Sequence, residues 1–238
     1  MTDISKQIRF LKIYTIILTI VVVPLTVMLF FSINNNHFKD LTTERINIVE
    51  PNGQLRMVIS NQKYQSSGMT NGNAIARRDR PAGMIFFNND GDEDGGLVYE
   101  SNKKGAGMVY SFDQYKNDQI MQLQYLQNNN NNGKMTFRTY GLKLWDRDDD
   151  FTLSRAVEYI DSLKKLKDTN AYESGIRKLK AAGKLGVQRF FAGKNENGEV
   201  GLFINDSKGN TRLKIYIDKN DHPSIQILNQ KGEIVSAK

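Results

Sequence analysis

"LFINDSKGNTRLKIYI", residues 202–217, is the stretch on which the fold turns. An apolar run enters Asp206-Ser207-Lys208-Gly209, and apolar residues then return at alternate positions: Leu213, Ile215 and Ile217. A period of two places one set of side chains on one face of a half-buried strand. The four residues between fit a type I turn, in which Asp or Asn at the first position bonds the backbone ahead and glycine at the fourth accepts positive φ. The stretch therefore reads as two antiparallel strands and a tight turn.

The same skeleton recurs in "INIVEPNG" (46–53), "MIFFNNDG" (84–91), "FAGKNENG" (191–198) and "IQILNQKG" (225–232), with Glu50, Asn88, Asn195 or Asn229 three residues before the glycine. Glu50-Pro51-Asn52-Gly53 fits the turn closely, because proline suits its second position. "LKLWDRDD" (142–149) reads as a sixth copy with Asp149 in the place of glycine. Strands are expected near 45–50, 54–60, 83–88, 96–101, 106–112, 119–127, 134–145, 187–194, 199–205, 211–218, 223–229 and 233–237. The expected class is mainly β: an antiparallel meander forming a barrel, a sandwich or a propeller-like body, three closures that the pattern leaves open. Asn128 to Asn132 before Gly133 is expected at an exposed hairpin tip. Between the β halves, Leu153, Ala156, Val157, Ile160 and Leu163 share a helical face, and Ile176, Leu179 and Ala182 share another. This predicts an insert of one or two helices over residues 151–184.

At the other end, Ile13 to Ile33 is uncharged throughout. At ~1.5 Å per helical residue this stretch reaches roughly the ~30 Å of a bilayer core. "NNNHF" follows it without a small-residue cleavage site, so it reads as an uncleaved transmembrane helix rather than a signal peptide. Lys6, Arg9 and Lys12 precede the span, which predicts a cytoplasmic N-terminus and an exterior C-terminal part. The expected organisation is a cytoplasmic tail (1–12), a single membrane span (13–33), a linker (34–43) and an extracytoplasmic β domain (44–238). A lone apolar helix places the chain in the inner, cytoplasmic membrane, with its β domain periplasmic or extracellular.

Composition closes several chemistries. The 238 residues include no cysteine, which excludes thiol nucleophiles, disulfides and Cys-type zinc sites, and only His37 and His222, too few for His-based triads or two-His metal sites. The net charge is +7, and the part beyond residue 33 keeps 30 basic and 25 acidic side chains. The basic residues of the helical insert, Lys164, Lys165, Lys167, Arg177, Lys178, Lys180 and Lys184, read first as a solvated face. Exterior topology and the absence of a binding motif argue against nucleic acid.

"NNDGDEDGG" (88–96) sets Asp90, Asp92 and Asp94 at alternate positions before Gly95. These three are the candidate metal ligands, for calcium. An EF-hand loop wants a bidentate glutamate at its twelfth position, where this chain has Ser101 with the glutamate at Glu100, so a long acidic turn is the favoured reading and no cofactor is required. Asp146, Asp148 and Asp150 form a second alternate run, assigned to a turn and a helix N-terminus. Tyr110, Phe112, Tyr115 and Tyr125 are expected to pack the core. Hydrolysis by paired carboxylates would draw first on Glu93, Asp94, Glu100 and Asp113.

"ERINIVEPNGQLRMVISN" (44–61), "AGMIFFNNDGDEDGGLVYE" (82–100) and "SFDQYKNDQIMQLQY" (111–125) resemble segments of a family of uncharacterised bacterial proteins with an N-terminal membrane segment and a β-rich domain. The resemblance implies bacterial origin and membrane attachment and carries no activity, cofactor or site residue. The expected role is binding or scaffolding at the bacterial cell envelope, with the lipid bilayer and an envelope protein or glycan as partners. The alternative is an envelope carbohydrate-active hydrolase.

Overall fold

The structure, a computed structural model, describes residues 2–34, 38–75 and 79–237. The chain divides into two units, Met1–Thr43 and Glu44–Lys238. Residues 35–37 of the expected linker lie outside the described residues.

The first unit is one helix, α1 (Thr2–Asn34), with Pro24 inside it. Its segment Asp3–Phe31 is long and apolar enough to cross a membrane, a property that anchors share with signal sequences. Thr15, Thr19 and Thr26 donate their hydroxyls to the carbonyls of Leu11, Thr15 and Val22 at 2.7–2.9 Å. Those bonds pair the hydroxyl protons of the three threonines within the helix itself. The helix starts at Thr2 and carries Lys6, Arg9 and Lys12 in its first turns.

The second unit is built on twelve strands of one antiparallel sheet. They are β1 (Arg45–Val49), β2 (Leu55–Ser60), β5 (Ala82–Phe87), β6 (Glu93–Asn102), β7 (Gly105–Asp113), β8 (Gln119–Asn129), β9 (Met135–Asp146), β10 (Val187–Lys194), β11 (Val200–Asn205), β12 (Thr211–Ile217), β13 (Pro223–Leu228) and β14 (Ile234–Ala237). Each pairs with the next in chain order, from β1 at one edge to β14 at the other. A small hairpin of β3 (Met69–Thr70) and β4 (Asn73–Ala74) forms its own two-stranded sheet. The expected strands are all present within a few residues, in a single meander.

Eight of the hairpin turns are one device. In each, the fourth residue donates its N–H to the first residue's carbonyl and the first donates to the fifth, as in Gly209 to Asp206 at 3.0 Å and Asp206 to Asn210 at 2.8 Å. In six, the first residue's Oδ1 also accepts the N–H groups of the third and fifth residues: Asn88, Asn130, Asn195, Asp206, Asp218 and Asn229. The backbone N–H groups of His222 and Asn220 hold the Asp218 carboxyl below the usual carboxylate range.

Six of the eight turns put glycine at the fourth position with φ between +76° and +85°, whereas the turn after β12 uses Asp221 at φ +64°. A side chain there costs roughly 1 kcal/mol in a left-handed conformation. Asp221→Gly is expected to raise stability by about 0.5–1 kcal/mol, read as a higher midpoint in thermal unfolding.

"LKLWDRDD" departs from this pattern. Its first five residues end β9, and the chain passes through 147–152 into a helix instead of a returning strand. Asp148 still caps the bend, accepting from the Asp150 and Phe151 N–H groups at 3.0 and 2.9 Å. Thr152 then caps α2 (Leu153–Lys165), accepting from the Arg155 N–H. Asp168 caps α3 (Thr169–Ala181) through the N–H groups of Asn170 and Ala171. The two helices meet where Gly175 faces Leu163, at a spacing that a methyl group on Gly175 would enter only if the Leu163 side chain moved. The insert is therefore a two-helix hairpin, tied to the β7–β8 turn by buried Asn117, which donates to the carbonyl of Asp148 at 2.9 Å.

The two faces of the sheet differ. Val58, Ile85, Phe191 and Phe203 lie on one face by register. All four are buried. Residues from 61–75 and 79–81 cover part of this face, where Leu55, Met69 and Val98 pack on Val58, Ile85 and Phe87. Further along, the rings of Phe191, Phe203 and Tyr216 stack across three strands with centroids 5.8 and 6.1 Å apart. The opposite face is open, and it carries the larger share of the apolar side chains.

Candidate functional site

Two features of the β domain combine unusual chemistry with a defined place in the fold: a buried acidic cluster on the covered face, and the open face itself.

The cluster forms where β6 begins and β7 ends, beneath α2 and the segment that carries Ile75 and Arg80. The bulge between Phe86 and Phe87 pairs Glu93 with Phe87 and so turns Glu93 to the covered face. Arg80 meets Glu93 there with two bonds, Nη1 to Oε2 at 2.8 Å and Nη2 to Oε1 at 2.6 Å. Both side chains are nearly buried, with 12% and 9% exposure. A two-bond guanidinium–carboxylate pair is the arrangement that best tolerates loss of water. Asp118 and Arg147 form a second pair at 3.1 Å, and Arg147 also donates to the carbonyls of Gln119 and Leu185.

Asp113 has no such partner, and its Oδ1 is buried without a hydrogen bond among the described residues. Burial pushes its carboxyl up to about 8; the charges of Glu93, Asp118 and Asp94 add to the rise and Arg80 opposes it. Glu93, Asp113, Asp118, Ile75, Gln119, Leu153 and Val157 line a cavity of about 200 Å³. The folded chain thus keeps a proton on Asp113 that the unfolded chain releases near the ordinary value of 3.8. Since the folded form binds more protons between about pH 4 and pH 8, unfolding free energy falls as pH rises through that window. The urea midpoint is expected to drop from pH 5 to pH 8, and Asp113→Asn, neutral throughout, is expected to remove most of that slope.

The open face is a carpet of apolar side chains running across the sheet. Register places Ile48 and Ile59, then Tyr99, Met108, Tyr110, Phe112, Leu123 and Tyr140, and finally Val200, Leu202, Ile204, Ile215, Ile217, Ile225 and Ile227 on this one face. Each is between 36% and 59% exposed. Tyr110 and Phe112, expected in the core, are among them, 4.5 Å apart between ring centroids. They alternate inward and outward as a strand requires, but no second layer lies on their side among the described residues. Tyr125 shares this face by its pairing with Met108 and Tyr140. Tyr115 sits instead in the β7–β8 turn and donates its hydroxyl to Asp90 at 2.5 Å.

The three candidate calcium ligands have different surroundings. Asp90 is exposed and engages Tyr115, Asp92 is buried and accepts the Gly72 N–H at 3.0 Å, and Asp94 is exposed on β6. Among the described residues, no group of three or more His, Asp or Glu side chains is placed to hold a metal ion. Of the four carboxylates named for hydrolysis, Glu93 and Asp113 come together in the cavity, with Asp94 near enough to act on Asp113 electrostatically. Glu100 lines a separate groove of about 300 Å³ with Pro81, Asn102 and Gly107. Arg80 and Arg147 carried no sequence signal, because their partners come from distant elements.

Fold and site together define a class: a hairpin meander of one broad antiparallel sheet, apolar on its open side, in a chain that begins with a long apolar helix. No protein-family model matches the chain, and no curated protein matches it.

Proposed function

We propose that this chain is a single-pass, membrane-anchored binding or scaffolding protein of the bacterial envelope, with the open face of its sheet as the binding surface. The observation that carries this reading is the set of fifteen large apolar side chains on one face, each at least 36% exposed. An apolar patch of this extent, well beyond the ~300–600 Å² of an ordinary monomer surface, marks an interaction site. The long N-terminal helix and its basic flank support an uncleaved inner-membrane anchor with the β domain outside. An envelope protein is the partner chemistry the aliphatic face fits best; a glycan would ask for more polar groups than it offers.

The test joins topology with shielding. A reporter fused after residue 238 should read as exterior. In intact cells, a membrane-impermeant maleimide should label an Ile215→Cys variant several-fold more slowly than Ser224→Cys, which faces the other way. A cytoplasmic reporter, or equal labelling at both positions, would overturn the reading.

Hydrolysis by paired carboxylates is favoured by one observation: Asp113, its carboxyl pushed up to about 8 by burial, lines one cavity with Glu93. Against it, Arg80 occupies both Glu93 oxygens, and the cavity of about 200 Å³ is below the ~300–1,000 Å³ of typical ligand sites. For calcium, Asp90, Asp92 and Asp94 would have to leave their separate surroundings to converge. The thermal midpoint is therefore expected to be the same in EDTA and in millimolar calcium, whereas a bound ion at a hundredfold excess over its Kd would add about 2.7 kcal/mol.

A further inference from the structure

We propose that the open face of β10–β13 is the contact between two copies of this chain, packed face to face as the two layers of a β-sandwich. The inference rests on the reading of the open face as a binding surface and adds the identity of its occupant.

The argument begins with charge. Register puts Leu202, Ile204, Ile215, Ile217, Ile225 and Ile227 in one aliphatic block on adjacent strands, 36–47% exposed. The only charged side chain that pairing brings to this face of the four strands is Lys194, at the end of β10. A strongly acidic or basic partner would find almost nothing to pair with. A second copy would meet the same neutral block, so two domains that each carry net positive charge could approach here without opposing like charges.

Area points the same way. With the half-buried side chains between them, the block offers on the order of 800 Å², taking ~150–250 Å² for a fully exposed large side chain. A stable interface buries about that much on each partner. Four strands is also the usual width of a sandwich layer, and aligned sheets about 10 Å apart interdigitate side chains of this kind. Anchoring by the N-terminal helix would confine the copies to one plane and raise their effective concentration.

The experiment uses the full chain, purified in detergent and also reconstituted in phosphatidylcholine vesicles. The chain has no cysteine, so each single substitution supplies the one thiol. A short bismaleimide should convert the Ile215→Cys variant to a species of twice 27.1 kDa and leave Ser224→Cys, on the other face, at single mass. Sedimentation of the wild type in detergent should give a dimer. The Ile215→Lys/Ile225→Lys variant, whose lysines are exposed in a monomer, should sediment as a monomer with an unchanged circular dichroism spectrum.

A monomeric wild type, or a dimer that survives the two lysines, would overturn the proposal. If the thiol at 215 is shielded in vesicles without crosslinking to a second copy, lipid is the occupant: the dimer falls and the binding-surface reading stands. If it reacts as fast as the thiol at 224 in detergent and in vesicles, both fall.

Discussion

Replacing Arg80 with methionine is expected to lower the unfolding free energy of the β domain by about 3–5 kcal/mol, the usual cost of leaving one member of a buried ion pair alone. Glu93 keeps only 9% of its side chain exposed, and both its oxygens are occupied by the guanidinium. Without Arg80, the Glu93 carboxylate would lie nearly buried beside Asp113 with neither of its guanidinium bonds. Arg80 also donates to the Ser66 carbonyl at 3.3 Å, so its loss loosens the excursion that covers Val58 and Ile85. The single tryptophan, Trp145, makes urea unfolding readable by fluorescence. The double variant Arg80→Met/Glu93→Met removes both charges and should recover a large part of the loss. A single variant within about 0.5 kcal/mol of wild type would show that water reaches the pair freely.

Gly193→Ala is expected to cost about 3 kcal/mol or more, although it adds one methyl group to a strand. Gly141, Gly193 and Gly201 face one another across β9, β10 and β11. A Cβ on Gly193 would be driven into the Tyr140 carbonyl and the Gly141 Cα, backbone atoms that cannot rotate away. Overpacking of this kind costs about 1–3 kcal/mol where flexible side chains can give way, and more where they cannot. The row lies on the covered face, where the ring of Phe191 packs against Gly141 and the Cα and Cβ of Tyr216 lie against Gly201. Glycine in these places lets the sheet coil tightly and lets aromatic rings fill the space a side chain would have taken. Gly133→Ala is the matched control: φ is +76° and nothing lies within 4 Å, so only the left-handed cost of about 1 kcal/mol is expected. Equal losses at 193 and 133 would remove the packing explanation.

Much of the fold was legible because its signals are local. Strand alternation and turn chemistry act within about ten residues, and the five glycine-ended copies all became hairpins. The turns led by Gln114 and Asp218 escaped the pattern because they lack the glycine that made the others visible, yet they make the same backbone bonds. "LKLWDRDD" shows the reverse error. Asp148 makes the expected side-chain bonds to the backbone ahead, but Thr152 and the apolar spacing after it start a helix, and the helix decides where the chain goes. The acidic cluster was half legible: Glu93 and Asp113 stood among the candidate carboxylates, but only the β6–β7 register and the bulge before Phe87 bring them to one cavity.

By itself, then, the sequence determined the apolar N-terminal helix, the order and bounds of the strands, the turn type and the helical insert, since each depends on neighbours along the chain. Tertiary structure alone decided that the twelve strands join in one sheet, that Arg80 answers Glu93, and that Tyr110 and Phe112 face outward. The physical reason is that alternation specifies two faces for every strand without specifying what lies against either. Covering one of them took residues of 61–75 and 79–81 and the stacked rings of Phe191, Phe203 and Tyr216. The other carries aliphatic side chains with no further layer of its own unit upon it among the described residues.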